Sequence, residues 1–144
     1  MTNGNRKRIR LALIGAAAVT IVTLASCQMG TSIQGRIDNF NSQLKNGQYD
    51  QLYTNWASNT NTYSVYKSAT AWDSTPFASG DNPGTISLTS TSNASSVTGT
   101  YSNSNADYSV SIVMVEVGNS WYINSMSLTF TSGNNITSET TSFN

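Results

Sequence analysis

The sequence predicts an α+β domain in which N-terminal helices pack on a curved, four-stranded antiparallel meander. Two patterns predict this class. Apolar residues recur at helical spacing between residues 33 and 77, and they alternate at strand spacing between residues 85 and 130. Because the helical segments precede the strands rather than alternating with them, a layer of helices on an antiparallel sheet is favoured over a parallel α/β fold.

The first 26 residues have the composition of a secretory signal peptide. A basic segment opens it, formed by Arg6, Lys7, Arg8 and Arg10. An uncharged apolar run follows from residue 11 to residue 24. A membrane-spanning helix needs about 20 apolar residues, so this run is short for a permanent span and fits the core of a cleaved signal. An ordinary signal peptide cut nearby and an uncleaved anchor are the alternatives.

The run ends in Leu24-Ala25-Ser26-Cys27, which resembles the lipobox of bacterial lipoproteins. The resemblance implies cleavage between Ser26 and Cys27 and a diacylglyceryl group on the Cys27 sulfur. Two or more acyl chains hold a protein stably in a bilayer. We therefore expect a membrane partner through the lipid on Cys27 and a domain outside the cytoplasm. In the enterobacterial sorting pattern an aspartate after the cysteine retains the protein at the inner membrane, so Gln28 favours the outer membrane in an organism that has one and sorts in this way. Attachment to the cell membrane is the alternative.

Charge and composition exclude several classes of function. Beyond residue 26 the chain carries three basic and seven acidic residues, a formal charge of −4, so we expect no nucleic-acid partner. There is no histidine, which removes the commonest general base and metal ligand. Ser, Thr and Asn make up 59 of the 144 residues, so the surface is polar but mostly uncharged.

The helical part follows a short tether at residues 27–32. Ile33, Ile37, Phe40 and Leu44 recur at intervals of four, three and four and predict an amphipathic helix that ends at Asn46-Gly47. A second helical segment is predicted from the shared face of its apolar residues, Tyr49, Leu52, Tyr53 and Trp56. A third and weaker one is predicted over residues 63–72, where a strand is the alternative.

Four strands are predicted over residues 85–92, 96–102, 108–117 and 120–130. The third is apolar on both faces at its centre, which indicates an inner strand, and Gly118-Asn119 predicts a tight hairpin after it. In the fourth strand, simple alternation places Ile123 and Met126 on opposite faces. We expect the polar end of the chain, residues 131–144, to be frayed or disordered.

This arrangement resembles the NTF2-like (cystatin-like) α+β family over residues 33–130. The resemblance rests on the element order and on residues 115–123, Val-Glu-Val-Gly-Asn-Ser-Trp-Tyr-Ile, which are similar to that family's last hairpin. Membership implies a pocket between helices and sheet. If one exists, its expected lining residues are Trp56, Trp72, Phe77 and Tyr101, although large aromatic residues at such spacing more often form core.

The sequence indicates binding rather than catalysis. A carboxylate base would have to be Asp38, Asp73 or Glu116, and for each a solvated role is the stronger expectation. No phosphate-binding glycine loop and no cluster of metal ligands is present, so we expect neither cofactor nor metal. The first hypothesis is a lipid-anchored, non-catalytic domain that binds a small apolar ligand or an envelope protein. The alternatives are a structural or host-facing surface lipoprotein without a pocket and, last, a carboxylate-based enzyme.

Overall fold

A computed structural model describes residues 30–89, 95–133 and 139–144. The predicted signal peptide and the predicted lipobox, including Cys27, lie outside the described residues. Within the described ranges, no helix is long and apolar enough to cross a membrane.

The described chain is α+β, as the element order predicts. Two α-helices and two 3₁₀ helices come first: α1 at Ile33–Lys45, a 3₁₀ helix at Tyr49–Asn55, α2 at Asn61–Val65 and a second 3₁₀ helix at Ala69–Trp72. Five strands follow: β1 at Thr85–Leu88, β2 at Ser96–Ser102, β3 at Ala106–Val117, β4 at Ser120–Gly133 and β5 at Thr140–Phe143. They form one antiparallel sheet in sequential order, with five strands rather than the four predicted.

The predicted amphipathic helix is confirmed as α1. Ser32 caps its N-terminus, since its hydroxyl accepts a hydrogen bond of 3.0 Å from the Gly35 amide. The four apolar residues at helical spacing are all buried. Gly47 follows with a φ of +68°, a left-handed conformation that a glycine adopts without steric penalty.

The third helical segment is interrupted, contrary to the continuous helix predicted over residues 63–72. Tyr66 ends α2, and the chain turns before the second 3₁₀ helix begins. The turn brings the rings of Tyr66 and Trp72 to 4.6 Å, and the Trp72 indole donates to the Tyr66 carbonyl at 3.2 Å. In a continuous helix these two side chains would point to different faces, so the break is what lets both reach the core.

The end of the chain is largely ordered, which corrects the expectation of a frayed tail. β4 continues to Gly133, and β5 pairs with it so that Phe143 lies opposite Met126. Phe143 is 1% exposed. Burial of this aromatic side chain supplies the free energy that orders a terminus whose local sequence is otherwise polar. Residues 134–138 lie outside the described residues.

A β-bulge in β4 corrects the predicted faces of that strand. Val113 pairs with Ser125 and Met114 with Ile123, so Asn124 is the extra residue. The extra residue shifts the alternation by one position. Ile123 and Met126 are therefore both buried against the helices rather than on opposite faces.

Side-chain hydrogen bonds join helix α1 to strands β1 and β4 of the sheet. Asn41 on α1 donates to the Ile86 carbonyl at 2.8 Å and accepts from the Ile86 amide at 2.9 Å, so it satisfies the outer edge of β1. At β4, the Arg36 Nε donates to the Trp121 carbonyl at 2.6 Å. These bonds hold α1 across the sheet, with the core between them.

Candidate functional site

The four aromatic residues predicted to line a pocket do come together. The ring centroids of Trp56 and Trp72 are 5.7 Å apart, those of Trp72 and Phe77 are 5.9 Å apart, and those of Phe77 and Tyr101 are 5.1 Å apart. They come from the end of the first 3₁₀ helix, the second 3₁₀ helix, the loop after it and β2. The sequence predicted that these four residues could converge, because they belong to separate elements.

These four side chains nevertheless form packed core. Each has 0% exposure, so none of them presents a ring to solvent. Phe143 completes the packing, with centroids 5.6 Å from Trp72 and 5.2 Å from Phe77. Phe40 of α1 packs edge-on against Phe77 at 5.0 Å. We call this set the aromatic cluster: Phe40, Trp56, Trp72, Phe77, Tyr101 and Phe143.

Two polar groups lie within the cluster. The Tyr101 hydroxyl donates to the Pro76 carbonyl at 3.2 Å and accepts from the Gly84 amide at 3.3 Å. Burial raises the pKa of Tyr101 to about 12, because the phenolate would lose its hydration. The Trp56 indole nitrogen is buried and finds no hydrogen-bond acceptor among the described residues.

A surface pocket lies beside the cluster, at the edge of β4, and its volume is about 250 Å³. We call it the tyrosine pocket, and its lining residues are Thr54, Trp56, Ala57, Ser58, Tyr63, Val117 and Tyr122. The Ala57 amide donates to the Ile123 carbonyl at 2.9 Å, and this hydrogen bond joins the helical layer to β4 beside the pocket. Of the four residues predicted as pocket lining, Trp56 alone lines it.

Two half-buried tyrosines form the aromatic walls of the tyrosine pocket, and each is held by a neighbour. Tyr63 on α2 packs edge-on against Tyr53 at 5.1 Å. The Arg36 guanidinium carbon stands 4.3 Å from the centre of the Tyr122 ring, a cation–π contact. Burial lowers the pKa of Arg36, and the Tyr122 hydroxyl opposes that effect. Both walls are therefore positioned before any ligand arrives.

Sequence reasoning missed most of this pocket. The pocket joins residues 54–63 to residues 117–122, which are more than 50 positions apart. The one local signal was the aliphatic and the aromatic residue on either side of the Gly118-Asn119 turn, Val117 and Tyr122.

A second pocket, of about 220 Å³, is more polar and contains two carboxylates. Asp73 and Glu139 line it, together with Tyr108 and five other residues. Both carboxylates are exposed, as are Asp38 and Glu116. An exposed carboxylate is hydrated, whereas a general base needs surroundings that shift its pKa. Among the described residues, no group of three or more acidic, cysteine or histidine side chains could hold a metal ion.

Comparisons of the chain with protein-family models, with curated proteins and with solved structures gave no significant match.

Proposed function

We propose that this chain is a lipid-anchored cell-envelope protein whose domain binds a small, partly apolar molecule or an envelope partner at the tyrosine pocket, without catalysis. The observation that carries the proposal is the pocket itself. It combines two tyrosine rings and a valine with the hydroxyl groups of Thr54 and Ser58. Apolar walls with a few fixed polar groups are the usual composition of a ligand site.

The size of the pocket narrows the ligand class. Sites for drug-sized molecules enclose about 300–1,000 Å³, and this one has about 250 Å³. It fits one ring, a short acyl segment or a single side chain of a partner protein. Tyrosine faces favour the apolar surface of such a group, and the Ser58 hydroxyl favours an oxygen or nitrogen at its end, since the Thr54 hydroxyl already donates to the Gln51 carbonyl at 2.7 Å.

The lipid anchor rests on the lipobox sequence that ends at Cys27. A Cys27→Ala variant should fail to take up labelled fatty acid and should leave the membrane fraction or accumulate as uncleaved precursor. The matched control is Ser26→Ala, which keeps a small residue before the cysteine and should be lipidated normally. Fatty-acid label in the Cys27→Ala protein would contradict the anchor.

The NTF2-like assignment is also part of the proposal. It is supported by the order of helices before an antiparallel sheet and by the convergence of Trp56, Trp72, Phe77 and Tyr101 between the two layers. In that family this space is often hollow, whereas here the aromatic cluster fills it. The ligand site is therefore displaced to the edge of the same space, with Trp56 shared between cluster and pocket.

The pocket is tested by native mass spectrometry of the chain from residue 28, purified without detergent. We expect a bound mass that is lost on denaturation. Ser58→Trp would fill the pocket and should abolish that mass. Asn59→Trp is the matched control, since Asn59 is the exposed neighbour and does not line the pocket. Retention of the bound mass by Ser58→Trp would place the ligand elsewhere.

A second candidate is a structural or host-facing surface lipoprotein that acts without a pocket. The packed aromatic cluster favours it, because the predicted pocket residues are all fully buried. The absence of any bound mass from wild-type protein, together with a protein partner recovered by crosslinking at the open face of the sheet, would favour this candidate over the first.

A further inference from the structure

The tether enters the domain beside the hairpin that joins β3 and β4. The Trp121 amide donates to the Gly30 carbonyl at 2.5 Å, so Gly30 lies against the start of β4. Gly30 is three residues after Cys27 in the sequence. Three residues span at most about 10 Å, so a lipid on Cys27 would keep this end of the domain at the bilayer surface.

The exposed face of β3 changes character towards the same end. Its outward positions alternate with buried ones, and at the far end they are Asp107, Ser109 and Ser111. At the end near Gly30 the outward positions are Val113, Val115 and Val117. Val113 is 39% exposed and Val117 is 56% exposed. One strand is thus polar where it is remote from the tether and apolar where it is close.

Two aromatic residues lie at the apolar end of the hairpin, and both are half-buried. Tyr122 lies opposite Val115, on the face of the valines, whereas Trp121 lies opposite Glu116, on the other face. Tyrosine is one of the side chains that prefer the interface between headgroups and hydrocarbon. Glu116 is exposed at this end, and like Trp121 it projects from the face opposite Val115 and Val117.

We propose that this end of the domain, the tip formed by Val113, Val115, Val117 and Tyr122, docks on the lipid bilayer that holds the anchor. The proposal rests on the lipid anchor proposed above. A short tether, a polarity change along β3 and an interfacial tyrosine on the face of the valines all favour a bilayer as the occupant. Docking also sets the tyrosine pocket, which shares Val117 and Tyr122 with the tip, at the membrane surface.

The test uses the lipidated protein in vesicles that contain lipids brominated near the headgroup. Cys27 is blocked by its thioether, so one environment-sensitive fluorophore can be placed at Val117→Cys or at Asn105→Cys. Both positions are exposed, and they lie at opposite ends of β3, about 40 Å apart along the strand. We expect bromine quenching at position 117 to exceed that at position 105 by at least about twofold, because the tip enters the headgroup region.

Equal quenching at the two positions, in protein that floats with the vesicles, would overturn docking and leave the anchor intact. Protein that does not float would overturn the anchor and docking together. The emission of the fluorophore at position 117 could instead shift with protein concentration and not with brominated lipid. That result would show that the tip contacts a second copy of the chain, and it would also overturn the proposal.

Discussion

The two faces of the sheet are built from the same five strands but from different chemistry. The face under the helices carries Tyr101 and Phe143 of the aromatic cluster and the buried aliphatic residues of β3 and β4, and it packs against the rest of the cluster. The open face carries hydroxyls, and one row across all five strands consists of Ser87, Thr100, Ser109, Thr129 and Thr140. The covered face therefore holds nearly all the apolar burial that stabilises the fold, while the open face is available for contacts.

The side chains of β5 alternate between these two faces of the sheet. Phe143 points into the aromatic cluster, whereas Ser142 is exposed. The Thr140 hydroxyl lies 3.3 Å from that of Thr129 on the open face. A strand of four residues thus contributes to stability through one side chain.

The largest expected effect is on the covered face, at Phe143. Phe143→Ala should lower the free energy of unfolding by about 3–5 kcal/mol, because it empties a ring-sized space among four other aromatic residues. Ser142→Ala, the neighbour on the open face, should change it by less than about 0.5 kcal/mol. Chemical denaturation measures both. Similar losses from the two variants would mean that β5 is held by its backbone pairing and not by Phe143.

The next largest effect is the loss of folding stability at alkaline pH, which we attribute to Tyr101. Its pKa in the folded protein is about 12, above the value near 10 expected when unfolded. A raised pKa means that the folded state keeps the proton longer, so stability is complete below pH 10 and falls between pH 10 and 12. The loss is about 2–3 kcal/mol.

Tyr101→Phe removes this ionisation, so its free energy of unfolding should fall by about 2–3 kcal/mol less between pH 10 and pH 12 than that of the wild-type protein. Burial also raises the pKa of Tyr108, a residue that is present in both proteins. Stability curves from pH 9 to pH 12 provide the measurement. Parallel curves for the two proteins would show that the Tyr101 hydroxyl is hydrated.

A smaller effect on stability is expected at Gly99, a glycine on the covered face of the sheet. Gly99 lies on that face of β2, and an added Cβ would collide with the carbonyl oxygen of Ser87 on β1. Gly99→Ala should therefore cost about 1–3 kcal/mol by forcing the two strands apart. Hydrogen exchange should show the loss at the amides of β1 first. Unchanged protection in β1 would mean that the strands move apart without cost.

The smallest effect is expected at the centre of the open face. Ser111→Ala removes an exposed hydroxyl and should change the free energy of unfolding by less than about 0.5 kcal/mol. Its neighbour Ile112 is fully buried, so Ile112→Val should cost about 0.5–1.5 kcal/mol. Denaturation of the two variants side by side compares the faces at adjacent residues. A loss above 1 kcal/mol for Ser111→Ala would indicate that something covers the open face.

Local patterns in the sequence determined the elements whose signals are short-range. The repeat of Ile33, Ile37, Phe40 and Leu44 predicted α1, and strand β2 has the predicted bounds, residues 96–102. The turn at Gly118-Asn119 is also where it was expected, with Gly118 at a φ of +65°. Spacing, capping and turn chemistry act over a few residues, so they can be read without the fold.

Tertiary structure alone decided what those elements enclose. The sequence indicated that Trp56, Trp72, Phe77 and Tyr101 could converge, but whether they surround a hollow depended on Phe143, which is 42 residues beyond Tyr101 and in a polar segment. The bulge at Asn124 and the tyrosine pocket arise in the same way, from pairings between distant parts of the chain. Packing is a property of all the neighbours of a side chain at once, and only the folded chain specifies them.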